Sequence, residues 1–311
     1  MLQFGGFHKA EERSRYLNAG SRRGKVQNRE LQDKLFEIFI YVREICEKHG
    51  LRYFAIGGTC IGAVRHHGFI PWDDDLDIAM PDRDYEEFLR IAPKELPEHL
   101  AVMDFGENIC ARIHNVNTTL VEVWNPDKYN SGVFIDIMPF YGVPERRRQQ
   151  IWLGYKVRFL LKLYQKQKSR LCDNRRIAGK LLWLIMKPFH CLAGQDFYPN
   201  LWTCMVSKRD FDSSRYTGFT WSYHLEKRIF ERAWFDSYEE FPFESTTIRC
   251  PAGWDAYLTK HFGDYRTIPP QSEQVSKHIY FLDLNVSYKK YQKKGRKGEG
   301  QHGNRLYGRG L

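Results

Sequence analysis

Long apolar runs, paired cysteines and a secretory signal are all absent from this sequence. No run of 18 apolar residues occurs, so we expect no membrane-spanning helix. The seven cysteines stand singly without a Cys-x-x-Cys pair, which favours free thiols in a reducing compartment and argues against a zinc site. Residues 1–28 lack the apolar stretch of a secretory signal and are expected to form a flexible basic leader. These absences predict a cytoplasmic protein, either free or peripheral at the inner face of the cytoplasmic membrane.

Acidic residues are nearly absent from residues 146–187. This stretch has 13 Lys or Arg residues and one acid, Asp173, so its net charge of +12 exceeds the +10 of the whole chain. Large apolar residues are interleaved with the basic ones, which predicts two basic amphipathic helices. These helices could form a solvated face of a helical subdomain, a platform for an anionic acceptor or a contact with an anionic membrane. No recognised nucleic-acid motif accompanies the charge, so we expect no nucleic acid partner.

A Gly-Lys-Ser/Thr phosphate loop is also missing, which argues against a P-loop kinase. The sequence has instead Gly57-Gly58 at the end of an apolar run, followed by a short segment of helical character up to His66. This order predicts a strand, a tight turn and a helix. Glycine lets backbone N–H groups approach a phosphate closely, and the helix start adds a favourable dipole. The stretch is therefore suited to holding nucleotide phosphates.

Four aspartates follow this turn within residues 73–77. If they lie on a strand, Asp73, Asp75 and Asp77 share one face and Asp74 points the other way. Neighbouring positions on a face are about 6.6 Å apart, so Asp75 and Asp77 could share a small hard cation. Asp73 lies about 13 Å from Asp77, which leaves it to orient the site or to serve a second ion. The alternative is a solvated acidic turn, but an acid in the apolar strand around Asp77 costs several kcal/mol unless it is paired.

A further acid, Asp136, stands inside the apolar run from Gly132 to Phe140. Such a run predicts a buried strand, and a single acid inside it needs a partner. A metal already held by Asp75 and Asp77 would provide one. A salt bridge or an edge position in the sheet are the alternatives.

These residues carry a resemblance to a known family. Gly57-Gly58-Thr59 with Gly62 and Arg65, then residues 68–88 (GFIPWDDDLDIAMPDRDYEEF), resemble the signature of the LicD family. The similarity continues at residues 111–122 and in a C-terminal set of elements, namely Tyr257-Leu258, Phe262-Gly263-Asp264-Tyr265, Pro269-Pro270 and His278. Phe262 stands where the family usually has tyrosine. The resemblance implies an α+β fold, with a nucleotidyltransferase-like mixed sheet flanked by helices and a basic helical insertion.

The resemblance also implies a metal-dependent phosphotransferase. Such an enzyme would move a phospho-alcohol, with phosphocholine as the first choice, from a CDP-alcohol to a hydroxyl of a glycan or lipid-linked glycan. Asp75, Asp77 and Asp136 would hold Mg²⁺ or Mn²⁺, and Asp73 would act as a base or bind a second ion. The residues implied in substrate binding are Gly57, Gly58, Thr59, Arg65 and Arg112.

Several alternatives to this reading stay open. Arg112 could lie on the surface instead of contacting a phosphate. The protein itself could be a true nucleotidyltransferase, a sugar-phosphate transferase or a non-catalytic membrane-surface module. If the donor is CDP-choline, its quaternary ammonium would need an aromatic cage. Trp72, Trp124 and Tyr141 lie near the acidic segments in sequence and could supply one.

The same reading divides the chain into five parts. Residues 29–144 are expected to form the catalytic core, which opens with an amphipathic helix from Arg29 to His49. Residues 145–195 would be the basic helical segment, and residues 196–287 would complete the catalytic domain. Residues 288–311 are rich in Lys, Gly and Arg, so we expect them to form a disordered basic tail.

Overall fold

The computed structural model describes residues 28–103, 110–123, 130–168, 177–194, 197–220, 222, 224–225, 228–276 and 278–292. The predicted leader before Asn28 and the predicted tail after residue 292 lie outside these residues. The helices are α1 (Asn28–His49), α2 (Gly57–His66), α3 (Asp82–Glu95), α4 (Arg147–Lys168), α5 (Ile177–Ala193), α6 (Phe197–Val206) and α7 (Trp254–Phe262).

The strands are distributed among these helices along the whole described chain. They are β1 (Phe54–Ala55), β2 (Asp77–Pro81), β3 (Leu100–Met103), β4 (Ala111–Asn115), β5 (Thr119–Glu122), β6 (Phe134–Val143), β7 (Tyr216–Gly218), β8 (Ile229–Glu231), β9 (Tyr238–Phe243), β10 (Thr246–Pro251) and β11 (Ile279–Asp283). This combination of helices and strands confirms the predicted α+β class. No helix in the described part of the chain is both long enough and apolar enough to cross a membrane.

The chain forms two compact units. Of the described residues, those within 28–103, 110–139 and 235–292 belong to the first unit, and those within 140–234 belong to the second. The segment predicted to be a basic helical insertion, residues 145–195, lies inside the second unit. That unit also contains residues 196–234, which we expected to complete the catalytic domain.

The first unit is built around a sheet with the strand order β1-β2-β6-β4-β3. The β1–β2, β3–β4 and β4–β6 pairs are antiparallel, and β5–β11 and β9–β10 form separate antiparallel pairs. Helix α1 buries the stripe that its periodicity predicts, which consists of Leu31, Leu35, Ile38, Phe39, Val42, Ile45 and Cys46. The β9 residue Phe243 packs its ring against Phe36, Phe39 and Phe69, so a distant part of the chain joins this core.

Helix α2 is short and tightly placed. It begins at Gly57, whose φ of +58° favours glycine, and it ends at His66, which is followed by His67 in the left-handed region. A side chain at Gly62 would bring its Cβ to 2.5 Å from the Gly68 carbonyl oxygen, so the backbone approach requires glycine there. The N-terminal turn of α2 is thus held beside the segment that carries the aspartates.

The second unit confirms the two helices predicted in residues 146–187, which are α4 and α5. Helix α4 buries one face, made of Leu153, Val157, Leu160, Leu161 and Tyr164. The α6 residue Trp202 packs edge-on against Tyr141 and donates its indole N–H to the Thr220 carbonyl at 3.2 Å. Residues 141–143 of β6 pair with β7, and β7 pairs with β8.

The predicted tail is ordered over its first residues. Tyr288–Lys290 form a 3₁₀ turn in which the Ser287 side chain accepts a hydrogen bond from the Lys289 N–H. The Tyr288 N–H also donates to the Thr118 carbonyl oxygen at 2.9 Å. These bonds satisfy the local backbone and hold the chain against the first unit through residue 290, beyond the start of disorder that the composition predicts.

Candidate active site

Only the last of the four aspartates in residues 73–77 lies in a strand. Strand β2 begins at Asp77, so the prediction that Asp73 and Asp75 share its pleat is wrong. The reason lies in α1: the Gln32 side-chain amide donates to the carbonyl oxygens of Ile70 at 3.1 Å and Asp73 at 3.0 Å. The Asp73 N–H in turn donates to the Ile70 carbonyl oxygen at 2.9 Å. These bonds fold residues 70–73 into a turn and keep them out of the sheet ladder.

Two of the carboxylates face the N-terminal turn of α2. A Cβ built on Gly57 would lie 3.5 Å from Asp77 Oδ2, and a Cβ on Gly58 would lie 2.5 Å from Asp73 Oδ2. The Asp77 backbone N–H donates to Thr59 Oγ1 at 2.8 Å, which ties the start of β2 to the same turn. Negative charge is favoured at a helix N-terminus. The glycines therefore leave room for these carboxylates.

The carboxylates in this group repel one another. Burial raises the pKa of Asp77, and the charges of Asp75, Asp136 and Asp73 raise it further, with a partial offset from His278. Burial also raises the pKa of Asp73, to which Asp75 and Asp74 add. Buried, mutually repelling carboxylate oxygens are the donor set that Mg²⁺ and Mn²⁺ prefer, since a divalent cation removes the repulsion. The donor chemistry of this group fits the predicted metal.

Asp136 has the salt-bridge partner that the sequence left as an alternative. Its Oδ1 accepts from Arg112 Nε at 2.8 Å, because Arg112 on β4 lies directly across from Asp136 on β6. The Arg112 guanidinium also binds both carboxylate oxygens of Glu122, at 3.1 and 2.9 Å, and covers the Phe134 ring at 3.8 Å. Arg112 is thus buried among two carboxylates and a ring. Its predicted contact with a substrate phosphate stays a prediction.

The structure places Asp74 in a hydrogen-bonded group with His278. Asp74 is buried and accepts from the Ser276 hydroxyl, from the His278 N–H at 3.1 Å and from His278 Nδ1 at 2.8 Å. The same Nδ1 lies 3.1 Å from Asp75 Oδ2. One ligand atom from each of Asp74, Asp75 and His278 lies within 4.8 Å of the others, so this trio could also hold a metal ion.

Charge balance explains the hydrogen bonds in this trio. Burial lowers the pKa of His278, but the two carboxylates outweigh burial and raise its pKa to about 11. Burial raises the pKa of Asp74, but the hydrogen bonds from His278 and Ser276 outweigh it and lower this pKa below its usual value. His278 is therefore an imidazolium beside Asp75, and it would have to lose its Nδ1 proton before that nitrogen could bind a metal. The sequence offered His278 only as part of the C-terminal resemblance, because about 200 residues separate it from Asp74.

The remaining predicted residues hold the site together. The Gly57 N–H donates to the Tyr257 hydroxyl of α7 at 3.0 Å, and Arg65 Nη1 donates to the Tyr265 carbonyl oxygen at 2.6 Å. Burial lowers the pKa of Arg65. These two contacts dock the α7 region on α2, and the Thr59 bond to Asp77 ties β2 to the same helix. The predicted substrate contacts of Gly57, Gly58, Thr59 and Arg65 stay predictions.

Comparison with known proteins supports the family resemblance that the sequence carries. Residues 50–175 match the family described as LicD/FKTN/FKRP, nucleotidyltransferase domain. The chain is 28% identical over 267 residues to the lipopolysaccharide cholinephosphotransferase LicD of Haemophilus influenzae, which covers 82% of this chain and 97% of that protein. A 40-residue stretch is 45% identical to the human ribitol 5-phosphate transferase FKRP, which covers 13% of this chain and 8% of that protein. These matches confirm the resemblance to the LicD family, whose model matches residues 50–175 of this chain.

Proposed function

We propose that this protein is a metal-dependent transferase that moves phosphocholine, or a related phospho-alcohol, from a CDP-alcohol to a hydroxyl of a glycan. The observation that supports this proposal most strongly is the similarity to a lipopolysaccharide cholinephosphotransferase over nearly the full length of that relative. This relationship and the family domain support a phosphotransferase enzyme. The acceptor we propose is a cell-surface glycan or its lipid-linked precursor.

Asp75, Asp77 and Asp136 are the residues that would hold Mg²⁺ or Mn²⁺. When bound, the cation would neutralise charge on the diphosphate of the donor. Asp77 is 3% exposed, so water reaches it poorly and its interactions with charge are strengthened. His278 keeps Asp75 in place through the 3.1 Å contact at its Nδ1. The carboxylates and their partners are thus fixed before the substrate arrives.

The transfer itself exchanges one P–O bond for another. The acceptor hydroxyl oxygen attacks the phosphorus nearest the alcohol, the new P–O bond forms, and the P–O bond to CMP breaks. The proton of the hydroxyl passes to a carboxylate, and we assign this role to Asp73. Its Oδ2 faces the N-terminal turn of α2, where a phosphate would bind, and burial raises its pKa toward that of a useful base. Binding of a second ion by Asp73 is the alternative.

Trp72 is the aromatic residue best placed to meet a choline head group. It is partly exposed, stands next to Asp73, and packs edge-on against His66 at 6.1 Å between ring centroids. Tyr141 is 2% exposed and packs in the second unit, so its ring has no exposed face that could form part of a choline cage. Trp124 lies outside the described residues. We therefore expect Trp72 to contribute to selection of choline.

A thermal-shift panel tests the donor. The purified protein is mixed with CDP-choline, CDP-ribitol, CDP-glycerol and several uridine or guanosine sugars, each with Mg²⁺ or Mn²⁺. CDP-choline at one hundred times its dissociation constant should stabilise the fold by about 2.7 kcal/mol. Stabilisation by a uridine or guanosine sugar, with no response to any CDP-alcohol, would contradict the donor and favour a sugar-phosphate transferase.

Product analysis separates the proposal from a true nucleotidyltransferase, which the family's domain description keeps open. Mass spectrometry of the acceptor should show an added phosphocholine, and CMP should accumulate in equal amount. An acceptor that carries CMP would instead establish nucleotidyl transfer. A protein that binds none of the nucleotides with either metal would be a non-catalytic module.

A further inference from the structure

Helix α5 turns its most apolar face away from the protein. The exposed residues Leu181, Leu184, Ile185, Phe189 and Leu192 follow the three- and four-residue steps of one helix face, and Leu192 is 89% exposed and Ile185 73% exposed. On the opposite side, His190 is buried and its Nε2 lies 3.0 Å from the Tyr198 hydroxyl of α6. This bond and the Phe189–Phe197 ring contact at 5.6 Å fix the rotation of the helix.

Helix α4 presents a second exposed stripe. Trp152, Tyr155 and Phe159 are spaced by three and four residues, and Trp152 is 63% exposed. The same face carries exposed Arg148 before the aromatic stripe and exposed Lys162 after it. Because the opposite face of α4 is buried in the unit, this aromatic stripe also points to the surroundings.

The charged residues within these two helices are all of one sign. Helices α4 and α5 contain nine Lys or Arg residues and no Asp or Glu. Two of these cations lie beside aromatic rings: Lys156 Nζ is 5.8 Å from the ring centroid of exposed Trp152, and Lys187 Nζ is 5.4 Å from that of half-buried Trp183. Aromatic and aliphatic side chains flanked by long basic ones match the headgroup region of an anionic bilayer.

We propose that α4 and α5 form a surface that docks on an anionic membrane, with the apolar face of α5 and the aromatic stripe of α4 entering the headgroup region. A second copy of the chain fits less well, because two such surfaces would bring nine cations each together without a carboxylate. Helix α5 has 17 residues and is about 25 Å long, which is shorter than the hydrocarbon core, so it lies along the interface. The proposal does not depend on the identity of the donor.

Vesicle binding by the full-length protein tests this surface. Co-sedimentation is measured with phosphatidylcholine vesicles and with vesicles of three parts phosphatidylcholine to one part phosphatidylglycerol, at low, physiological and high salt. The protein should bind the anionic vesicles far better than the neutral ones. Binding should weaken as salt rises, because exposed charges are screened over roughly 10 Å at 0.1 M ionic strength.

Two variants separate the apolar and the electrostatic contributions. Ile185→Ser with Leu192→Ser should reduce partitioning to anionic vesicles at least about tenfold, because the inserted apolar area is lost. Lys156→Glu with Lys162→Glu should also reduce it at least about tenfold and flatten the salt dependence. The matched control is Ile268→Ser in the first unit, a residue 53% exposed, which should bind as the unchanged protein does. Circular dichroism verifies that each variant is folded.

Three results would overturn the proposal. The first is that the unchanged protein fails to sediment with anionic vesicles. The second is that the Ile185→Ser, Leu192→Ser variant binds them as well as the unchanged protein, which would leave a purely electrostatic surface. The third is a dimer in sedimentation velocity that dissociates in this variant, which would assign the apolar face to a second copy.

Discussion

The two units depart from the usual partition of side chains in opposite directions. The first unit buries the carboxylates of Asp74 and Asp77, whereas the second exposes large apolar side chains such as Ile185 and Leu192. A soluble domain ordinarily does the reverse, and each departure costs stability unless something compensates it. The compensation we infer is a divalent cation in the first unit and a lipid surface in the second.

A narrower comparison inside the first unit supports this view. Asp136 is paired with the buried cation of Arg112, and Asp74 is paired with His278. Asp77 is surrounded instead by other carboxylates, which raise its pKa. Asp136 and Asp74 each have a cationic partner, whereas Asp77 has none of comparable strength, so within the proposed ligand set of Asp75, Asp77 and Asp136 the need for a metal is greatest at Asp77.

The largest effect is expected from Asp77→Asn. Loss of this ligand should reduce transfer from CDP-choline by about a thousandfold or more at any metal concentration tested. The fold should survive, because the substitution removes one charge from a repelling group. Steady-state kinetics and thermal unfolding of the metal-free protein measure the two effects. Near-normal turnover at saturating Mn²⁺ would show that Asp77 is not a ligand.

Asp136→Asn should differ from Asp77→Asn in stability. It removes one of the two carboxylates that neutralise Arg112, which is 7% exposed. We expect unfolding free energy to fall by about 2–4 kcal/mol, because a buried guanidinium is left undercompensated. Denaturant titrations of both variants measure this contrast. Equal stability of the two would contradict the distinction between compensated and uncompensated acids.

Substitution of His278 should have an intermediate effect. His278→Gln keeps a hydrogen-bond donor but removes the positive charge beside Asp74 and Asp75. We expect Mn²⁺ affinity to fall about 10–100-fold, as is usual for partners that orient metal ligands. Calorimetric titration of Mn²⁺ measures it, with His99→Gln as a control from outside the site. If the metal binds at the Asp74–Asp75–His278 trio itself, the loss should be far larger than this range.

The smallest effect concerns the apolar surface of the second unit. Leu192→Ala should change unfolding free energy by less than about 0.5 kcal/mol, since its side chain is exposed. Leu153→Ala, on the buried face of α4, should cost about 2–4 kcal/mol. Thermal or denaturant unfolding of the two variants gives the comparison. A large loss for Leu192→Ala would mean that the α5 face is covered by protein in solution.

What the sequence could predict was set by local pattern. The stripe of α1, the two basic helices and the short helix that ends at His66 follow from periodicity, and the structure confirms these elements. The turn expected at Gly57-Gly58 is instead the first turn of α2, which begins at Gly57. The length of the acidic motif and the order of its residues indicated the resemblance to the LicD family. Local pattern is sufficient in these cases because each element is specified by residues close together in the chain.

The rest depended on contacts between distant residues. Strand β2 starts late because Gln32 of α1 holds the Ile70 and Asp73 carbonyl groups. Asp74 is buried because His278 and Ser276, far along the chain, donate to it. Arg112 meets Asp136 through the β4–β6 register. Spacing along a sequence does not encode such partners, so side-chain alternation alone misplaced Asp73 and Asp75.

Metal binding measured without turnover tests the central claim most directly. The metal-free protein is titrated with Mn²⁺, and free Mn²⁺ is followed by electron paramagnetic resonance. The control is Asp33→Asn on α1, an exposed acid paired with Arg29. We predict that the unchanged protein and Asp33→Asn bind Mn²⁺ alike, while Asp75→Asn and Asp77→Asn bind it at least about tenfold more weakly. Equal Mn²⁺ binding by all four proteins would contradict the assignment of the carboxylate group as the metal site.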